Sequence, residues 1–404
     1  MNYFQSKFVL SALTLSAFTY SILAQDINET VTGNTQFAFE LFSELKTDKK
    51  DENLFFSPFS ISSALAMTYG GARNRTEKQM SKTLHFNLDQ KLLHSNFKKL
   101  LDGLDKQNQE GLQIDIANSL WAQKDYTFLD EFFELSKTCY GSGLKYVNFT
   151  ENKEREKARL EINEWVENNT NNKIKDLIQP GILNGLTRLV LVNAIYFNGQ
   201  WAYQFDKKLT KKMPFYTSVK TQIKTGFMNR KADLKYFEND NLQVIELPYT
   251  ANKTSMVIFL PKDIEGINEL ENSFNYETYS NNINSLQTET VVLSIPKFKT
   301  MDKFGLAPTL SDMGMPIAFR GRANFSGMTG KRDLFIAKVI HKAFIEVSEE
   351  GTEAAAATAV IMQKKAIINP VPQKVFKADH PFIFVIKDNE TGSILFMGKI
   401  VNPG

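Results

Sequence analysis

Apolar side chains occupy every second position in several short stretches of the chain, a period typical of β-strands with one buried face. The alternation is clear in two stretches, through Leu112, Ile114 and Ile116 and through Ala343, Ile345 and Val347. Residues 189–197 are apolar almost without interruption, which predicts a strand covered on both faces at the centre of a sheet. Its one internal polar residue, Asn193, needs a hydrogen-bond partner if it is buried.

Other stretches carry the spacing of an α-helix. Apolar residues at helical spacing mark a first and a fourth helix, through Phe37, Leu41 and Leu45 and through Leu92, Phe97 and Leu100. Residues 53–61 predict a short strand and the start of a buried second helix, which ends at Gly70 and Gly71. The spacing of Thr76 and Gln79 predicts a capping box at the start of a third helix.

Residues 353–359 combine high helix propensity with flanks that favour extended backbone. Alanine loses no side-chain entropy in a helix, but 360–362 favour a strand, and Pro370 and Pro372 exclude helix beyond them. The segment is therefore conformationally undecided. Its small side chains could enter a close-packed sheet without displacing large neighbours.

Two lysines followed by a small residue come directly after this segment. Lys364, Lys365 and Ala366 place a basic residue beside a small one, the combination that the specificity pocket of a trypsin-like protease accepts. The pattern indicates a bait for such a protease.

Two motifs carry a close resemblance to the serpin family. Residues 347–353, Val-Ser-Glu-Glu-Gly-Thr-Glu, followed by four alanines, match the family hinge, and 376–382, Phe-Lys-Ala-Asp-His-Pro-Phe, match its C-terminal signature. The resemblance extends from near Asn53 to the C-terminus. It implies an α+β serpin fold with about three β-sheets, eight or nine helices and an exposed reactive-centre loop at about 349–372.

The resemblance also assigns roles to particular residues. The hinge that must enter the sheet comprises Glu349, Gly351, Thr352, Glu353, Ala354, Ala355, Ala356, Ala357 and Thr358. A hydrogen-bonded group called the shutter, at the point where the sheet must part, comprises Ser57, Ser60, Asn193 and His341. Trp201 is placed near the top of the same sheet, in the region called the breach.

The reactive bond follows from the family spacing. In inhibitory serpins the bait residue usually lies fourteen residues after the glycine matched by Gly351, which gives Lys365, with Ala366 on the leaving side. Lys364 is the competing position.

The resemblance implies a suicide inhibitor of trypsin-like serine proteases. The protease forms an acyl-enzyme with the bait residue, and the cleaved loop inserts as a new strand and traps the covalent complex. The alternative is a serpin that no longer inhibits and acts as a carrier, chaperone or storage protein. The uniformly small hinge residues favour inhibition.

No enzymatic motif competes with this interpretation. The chain has no Gly-X-Ser-X-Gly, His-Glu-X-X-His, phosphate-binding glycine loop or Cys-X-X-Cys, so we expect no catalytic activity, no metal and no cofactor.

The N-terminus predicts secretion. Residues 1–24 carry one cation, Lys7, and a largely apolar run that ends at Ala24, which is typical of a signal peptide cleaved near that residue; a retained anchor is the alternative. We expect one serpin domain at 25–404, extracellular and monomeric.

Composition limits the kinds of partner and modification that the chain can be expected to have. The net charge of +3 does not single out nucleic acid, no other stretch is apolar enough to predict a membrane span, and the lone Cys139 excludes an intrachain disulfide. Of seven Asn-X-Ser/Thr triplets, Asn28 and Asn252 are the better glycosylation candidates, and we expect Asn324 to be unmodified.

Two groups of cations have alternative interpretations. His94, Lys98 and Lys99 on the fourth helix could bind a glycosaminoglycan, but we expect a solvated face there. The basic cluster formed by Lys207, Lys208, Lys211 and Lys212 is also interpreted as a solvated edge rather than a binding site.

Overall fold

A computed structural model of the chain describes residues 5–352 and 373–404, with side chains from residue 27 onward. Within these ranges the α-helices are α1 Gln5–Asp48, α2 Pro58–Tyr69, α3 Asn74–Leu84, α4 Gln90–Asp105, α5 Asp130–Tyr140, α6 Asn152–Asn168, α7 Ile267–Ser273, α8 Tyr276–Asn284, α9 Ala307–Asp312 and α10 Ser326–Thr329. Short 3₁₀ helices occupy Lys207–Leu209, Thr250–Asn252 and Pro316–Phe319.

The strands of the described chain form two hydrogen-bonded sheets. They are β1 Leu54–Phe56, β2 Leu112–Gln123, β3 Leu144–Val147, β4 Leu189–Gln200, β5 Lys211–Ser218, β6 Thr221–Glu238, β7 Leu242–Pro248, β8 Thr254–Pro261, β9 Gln287–Pro296, β10 Phe298–Gly305, β11 Lys338–Val347, β12 Gly351–Thr352, β13 Lys374–Lys377, β14 Phe382–Asp388 and β15 Ile394–Ile400.

The six-stranded sheet carries the features that matter for function. Its strand order is β10-β11-β12-β4-β2-β3, and β11 also pairs directly with β4. The first nine residues of β4 are all buried, as the continuous apolar run predicts for a central strand. The alternating stretches beginning at Leu112 and ending at Val347 form its neighbours β2 and β11.

The nine-stranded sheet explains why two sheets replace the expected three. Its order is β1-β15-β14-β8-β7-β6-β9-β13, with β5 paired to β6. The first half of β6 pairs with β5, and its last four residues pair with β7. Because this 18-residue strand continues from one layer into the next, two of the expected sheets are joined through it.

Helix α2 lies between the two sheets. All twelve of its residues are buried, and it contacts β4 of one sheet and β15 of the other. On the opposite face of the six-stranded sheet, α6 packs Ile162 and Val166 against Val190, Val192 and Ala194 of β4. The centre of the six-stranded sheet is therefore covered on both faces.

The helices lie where the spacing of apolar residues predicts them, but the first and third helices start differently from the prediction. The spacing of Phe37, Leu41 and Leu45 predicted the first helix, but α1 begins far upstream of them, at Gln5. The predicted capping box of the third helix is wrong, because α3 begins at Asn74 and its cap residue Arg73 makes no side-chain cap hydrogen bond. Thr76 and Gln79 instead accept hydrogen bonds from the distant backbone amides of Asn324 and Ile317. In the described part of the chain, no helix is both long and apolar enough to cross a membrane.

Candidate functional site

The two central strands of the six-stranded sheet separate partway along their length. β4 and β11 pair in parallel over five positions, the last of which places Lys342 opposite Ala194. Above that point the two-residue strand β12 lies between them and is antiparallel to both, with Thr352 opposite Gly199 and Val347. We call this opening between β4 and β11 the fork.

A buried hydrogen-bond network lies at the base of the fork, one residue below the last pair. His341 is opposite Asn193, and the distance from His341 Nδ1 to Asn193 Oδ1 is 2.6 Å. The amide of Ser57 donates to His341 Nε2 at 3.1 Å, so that nitrogen is the acceptor and Nδ1 carries the proton donated to Asn193. Asn193 Nδ2 in turn donates to Asn118 Oδ1 at 2.6 Å and to the carbonyl oxygen of Ser60 at 3.0 Å.

The structure therefore brings all four shutter residues into one network, and Asn118 completes it. His341, Ser57 and Ser60 are fully buried, and Asn193 is 1% exposed. Burial lowers the pKa of His341 to about 3, so the ring is neutral at physiological pH. Because both ring nitrogens have partners, the network spans the fork without an unpaired polar group on the histidine.

An aromatic stack lies at the top of the fork. Trp201 stacks on Tyr249 with ring centroids 4.6 Å apart, and its indole nitrogen donates to the carbonyl oxygen of Ser348 at 3.0 Å. The Tyr249 hydroxyl lies 2.7 Å from Thr352 Oγ1. Burial of Tyr249 raises its pKa well above the usual value, so this hydroxyl stays protonated. The stack anchors both the start and the end of the turn 348–352.

Two carboxylates fix this turn to the neighbouring strands. Glu349 accepts from Lys297 Nζ at 2.9 Å and from Thr210 Oγ1 at 2.9 Å. Glu350 pairs with Lys207 and accepts from the hydroxyl of Ser348. Burial alone would raise the pKa of both carboxyl groups, but the lysine ammoniums and hydrogen bonds outweigh it and the pKa is lowered in each case.

Glycine is required at position 351. Its φ of 153° lies in the region that L side chains rarely adopt. A Cβ atom there would meet the carbonyl oxygen of Gly199 at 2.1 Å. The conformation and the close approach of β12 to β4 both exclude a larger residue.

Part of the predicted site lies outside the described residues. This applies to the distal hinge, Glu353, Ala354, Ala355, Ala356, Ala357 and Thr358, and to the predicted bait, Lys364, Lys365 and Ala366. The described structure adds Asn118, Tyr249, Lys297 and Lys207, which sequence reasoning had given no role in the site. Their partners are distant in sequence, so no local pattern identifies them.

The cations of the fourth helix do not form one surface. His94 is 3% exposed, and its Nδ1 lies 2.5 Å from the Tyr140 hydroxyl, so including it in a polyanion-binding cluster was wrong. Lys98 pairs with Asp102 at 2.7 Å, while Lys99 is exposed. Only the two lysines of the predicted set reach the helix surface.

The remaining candidate modification sites differ in exposure. Asn28 and Asn252 are exposed, whereas Asn324 is 6% exposed, which fits the expectation that it stays unmodified. Cys139 is partly buried, and burial raises the pKa of its thiol. That direction disfavours the reactive thiolate.

Comparison with known proteins gives a consistent result. The model of the family described as serpin (serine protease inhibitor) matches residues 32–403. Human leukocyte elastase inhibitor is 40% identical over 382 residues, which cover 92% of this chain and 98% of that protein.

Solved structures agree in fold over almost the whole chain. A highly specific serpin of the insect Tenebrio molitor, Serpin48, superposes with a TM-score of 0.83 at 32% identity and covers 94% of this chain and 99% of its own. Human thyroxine-binding globulin complexed with thyroxine superposes with a TM-score of 0.84 at 30% identity and covers 94% of this chain and 99% of its own.

The buried histidines predict a loss of stability in mild acid. Burial lowers the pKa of His341 to about 3 and of His94 to about 4. Between those values and about 6.5, the unfolded chain binds a proton that the native protein does not, so stability falls as the pH falls. From about pH 7.5 to about pH 5, each histidine should cost about 2 kcal/mol of unfolding free energy, measured by urea denaturation.

Single variants separate the two contributions. His341→Gln and His94→Gln should each remove their own share of the pH dependence. Nuclear magnetic resonance titration of the wild-type chain, which has only four histidines, provides a check that does not require a folded variant. If all four rings titrated near 6.5 in the native protein, the prediction would be wrong.

Proposed function

The chain belongs to the serpin family, and from that premise we propose that it is a secreted suicide inhibitor of trypsin-like serine proteases. The observation that carries the proposal is the position of Thr352. It is fully buried and already paired between β4 and β11, at the top of the opening that an inserted loop would fill. A strand that begins inside the fork needs only to be extended once the loop is cut.

The first chemical step belongs to the protease. Its serine oxygen attacks the carbonyl carbon of Lys365, the peptide C–N bond breaks, and the amine of Ala366 leaves with the proton that the protease histidine took from the serine. The ester that remains links the protease to Lys365. The N-terminal part of the loop is then free to move.

The register of β12 predicts where the freed loop would lie. Continuing the antiparallel pairing of Thr352 with Gly199 and Val347 brings residues 351–362 opposite the twelve residues of β4. In the same register Thr358 arrives opposite both Asn193 and His341. A hydroxyl therefore enters where the His341–Asn193 hydrogen bond must open, so the separated polar groups gain a new partner.

Small residues are required on the other face of the inserted strand. In this register Ala357 and Ala359 come opposite Ala194 and Val192, which pack beneath α6. Alanine fills that narrow space without displacing the helix, whereas a large or charged residue would have to be buried under it. This constraint accounts for the alanine run that the sequence leaves undecided.

The free energy of insertion is large enough to hold the protease. Residues 353–362, which follow the strand already paired in the fork, would gain ladder hydrogen bonds, each worth about 0.5 to 1.5 kcal/mol net, so the gain is on the order of 10 kcal/mol. This is comparable to the stability of a whole domain. An extended segment from Gly351 to Lys365, at about 3.3 Å per residue, carries the attached protease about 46 Å.

The proposed preference for trypsin-like proteases is inferred from the bait lysines rather than from the name of the related elastase inhibitor. Leukocyte elastase inhibitor is named for an elastase, but lysine at both 364 and 365 suits a protease whose pocket carries a carboxylate. The alternative function is that of a carrier, since thyroxine-binding globulin shares the fold. The small hinge and the buried Thr352 favour inhibition.

The N-terminal sequence supports the secreted form of the proposal. Residues 1–24 carry one cation, Lys7, and a largely apolar run that ends at Ala24, so cleavage near Ala24 would leave the domain at 25–404 to be secreted. The exposed Asn28 and Asn252 would then be available to glycosylation in the secretory pathway.

The reactive bond can be tested with trypsin. Mixing should give a band that survives denaturation at the summed mass of the two proteins, and the released C-terminal peptide should begin at Ala366. Lys365→Leu should abolish the covalent band, because a neutral side chain leaves the pocket carboxylate unpaired.

Lys364→Leu is the matched control and should retain trapping. If Lys365→Leu trapped trypsin as well as the wild type, the bait would be Lys364. Complete cleavage of the wild-type protein without any covalent band would overturn the assignment of trypsin-like proteases as targets.

The hinge can be tested at Thr352. Thr352→Arg would bury an unpaired guanidinium in the fork, so insertion should fail and the protein should be cleaved as a substrate, with at least about tenfold more inhibitor consumed per protease trapped. Titration of residual protease activity gives this stoichiometry.

Thr352→Ser keeps the hydroxyl that meets Tyr249 and should behave as the wild type. Equal stoichiometry for the arginine and serine variants would contradict the proposed entry of the loop at Thr352.

Secretion can be tested by expressing the full chain in cultured eukaryotic cells. The protein recovered from the medium should begin near Gln25, and a glycosidase should increase its mobility on a gel. Deletion of residues 2–24 should keep it inside the cells. Retention of the intact chain in the cells, with Met1 or Asn2 as its first residue, would contradict the prediction.

A further inference from the structure

Basic residues are concentrated in one segment of the chain. Residues 207–231 contain eight lysines and arginines and no acidic residue, whereas the rest of the chain carries 40 basic and 45 acidic residues. The small net charge of the whole protein therefore conceals a strongly positive segment within an otherwise slightly negative chain. Such an asymmetry produces a local field that overall net charge does not reveal.

The fold gathers this segment onto one antiparallel pair, β5 and the first half of β6. Phe215 and Phe227 point into the core and are fully buried. On the outer face, Lys212 lies opposite Gly226 and Lys224 lies opposite Pro214, so the two lysines are diagonal neighbours. We call the exposed lysines of β5, β6 and the adjoining turns the basic strip; it comprises Lys208, Lys211, Lys212, Lys220 and Lys224, of which Lys212 and Lys224 share the outer face.

The positive charges of the basic strip are not paired with carboxylates of the described residues. Among the described residues, none of its five lysines has a carboxylate within 4.0 Å, although all five are exposed. The neighbouring Lys207 and Lys297 differ, since they pair with the hinge carboxylates Glu350 and Glu349. Like charges that lie close together repel each other, so an accumulation without counter-charges favours contact with an acidic partner.

The position of the strip points to the partner. At one end of β5, Thr210 donates to Glu349, which precedes the proposed reactive loop in sequence. At the other end, the amide of Tyr216 donates to the carbonyl oxygen of Asp379 at 2.7 Å, and Asp379 follows that loop in sequence. β5 therefore contacts residues on both sides of the proposed loop, so a protease that engages the loop would approach the strip.

We propose that the basic strip is a second contact surface for the target protease, and that it selects a trypsin-like protease with an acidic surface beside its active-site cleft. The inference rests on the proposed inhibitory function and adds a determinant of protease choice to the bait lysine. Opposite charges steer the encounter and raise the association rate by about 10- to 1,000-fold at low salt. The effect is screened as ionic strength rises.

A protein partner fits the strip better than a free polyanion. The lysines are interspersed with Tyr216 and Thr217, and the exposed Tyr203 and Leu209 lie beside them in sequence. Tyr203 also carries the guanidinium of Arg230 over its ring. Apolar, aromatic and hydroxyl side chains among the charges are typical of a protein interface.

The test compares two proteases that share a preference for lysine and differ in charge, anionic and cationic trypsin. The association rate constant is measured from low to high salt for the wild type and for Lys211→Gln/Lys212→Gln/Lys224→Gln. A control, Lys78→Gln/Lys82→Gln/Lys91→Gln, removes the same charge from exposed positions on α3 and α4, which pack against α1 and α2.

The strip variant should react about tenfold more slowly than the wild type with anionic trypsin at low salt, and the difference should shrink to below about twofold at high salt. Its rate with cationic trypsin should not fall. The control variant should match the wild type with both proteases. The number of inhibitor molecules consumed per protease should stay unchanged, because the hinge and the bait are intact.

Three results would overturn the inference. If the wild type and the strip variant had equal association rates with anionic trypsin while the covalent band still formed, the strip would not be a second contact surface. The proposed inhibitory function would be unaffected by that result. The strip would instead bind a polyanion if the strip variant lost retention on immobilised heparin while its association rates with both proteases, measured without heparin, stayed equal to those of the wild type. Absence of any covalent complex with either protease would overturn the proposed function, and the inference with it.

Discussion

The hydrogen bond between His341 and Asn193 is the constraint on which the rest of this structure depends. It lies one residue below the place where β4 and β11 stop pairing, and it joins the two strands in a buried, neutral network backed by Ser57, which caps α2, and by Ser60 within that helix. Neither group can be left unpaired in that environment without a cost of about 1 to 3 kcal/mol. Under the proposed mechanism, the network therefore keeps the lower half of the sheet closed until another polar group is supplied.

The upper half of the fork is held by weaker contacts. The lysines that pair with Glu349 and Glu350 have substantially exposed side chains, and such ion pairs contribute about 0 to 1 kcal/mol each. Burial of Thr352 against Tyr249 adds a contact that an advancing strand would keep rather than break. Resistance to opening thus increases from the top of the fork to its base, which favours a loop that enters at the top.

The sequence predicts those parts of this arrangement that depend on local pattern or on motif. The apolar run at 189–197 identifies the central strand, and the resemblance identifies His341, Asn193 and Gly351. The partners that come from distant parts of the chain were not predictable: Lys297 and Tyr249 reach the hinge across more than 50 and 100 residues respectively. The predictions for Thr76 and His94 were wrong for the same reason, because their hydrogen-bond partners, Asn324 and Tyr140, lie far away in the sequence.

Under the proposed mechanism, the chemistry of the inserted strand also constrains where recognition can be placed. A segment that must pass between β4 and β11 and beneath α6 can carry few charges, since each would be buried without a counter-ion. Of the residues from 351 to 362, only Glu353 is charged, and the proposed extension of β12 would direct it away from the buried face that holds Thr352. Electrostatic recognition is therefore excluded from most of the moving segment. It is confined to residues that stay outside the sheet, the bait lysines and the fixed surface of β5 and β6. If the proposed loop inserts and the static surface recognises charge, the two can change independently, so the choice of protease need not weaken the proposed trap.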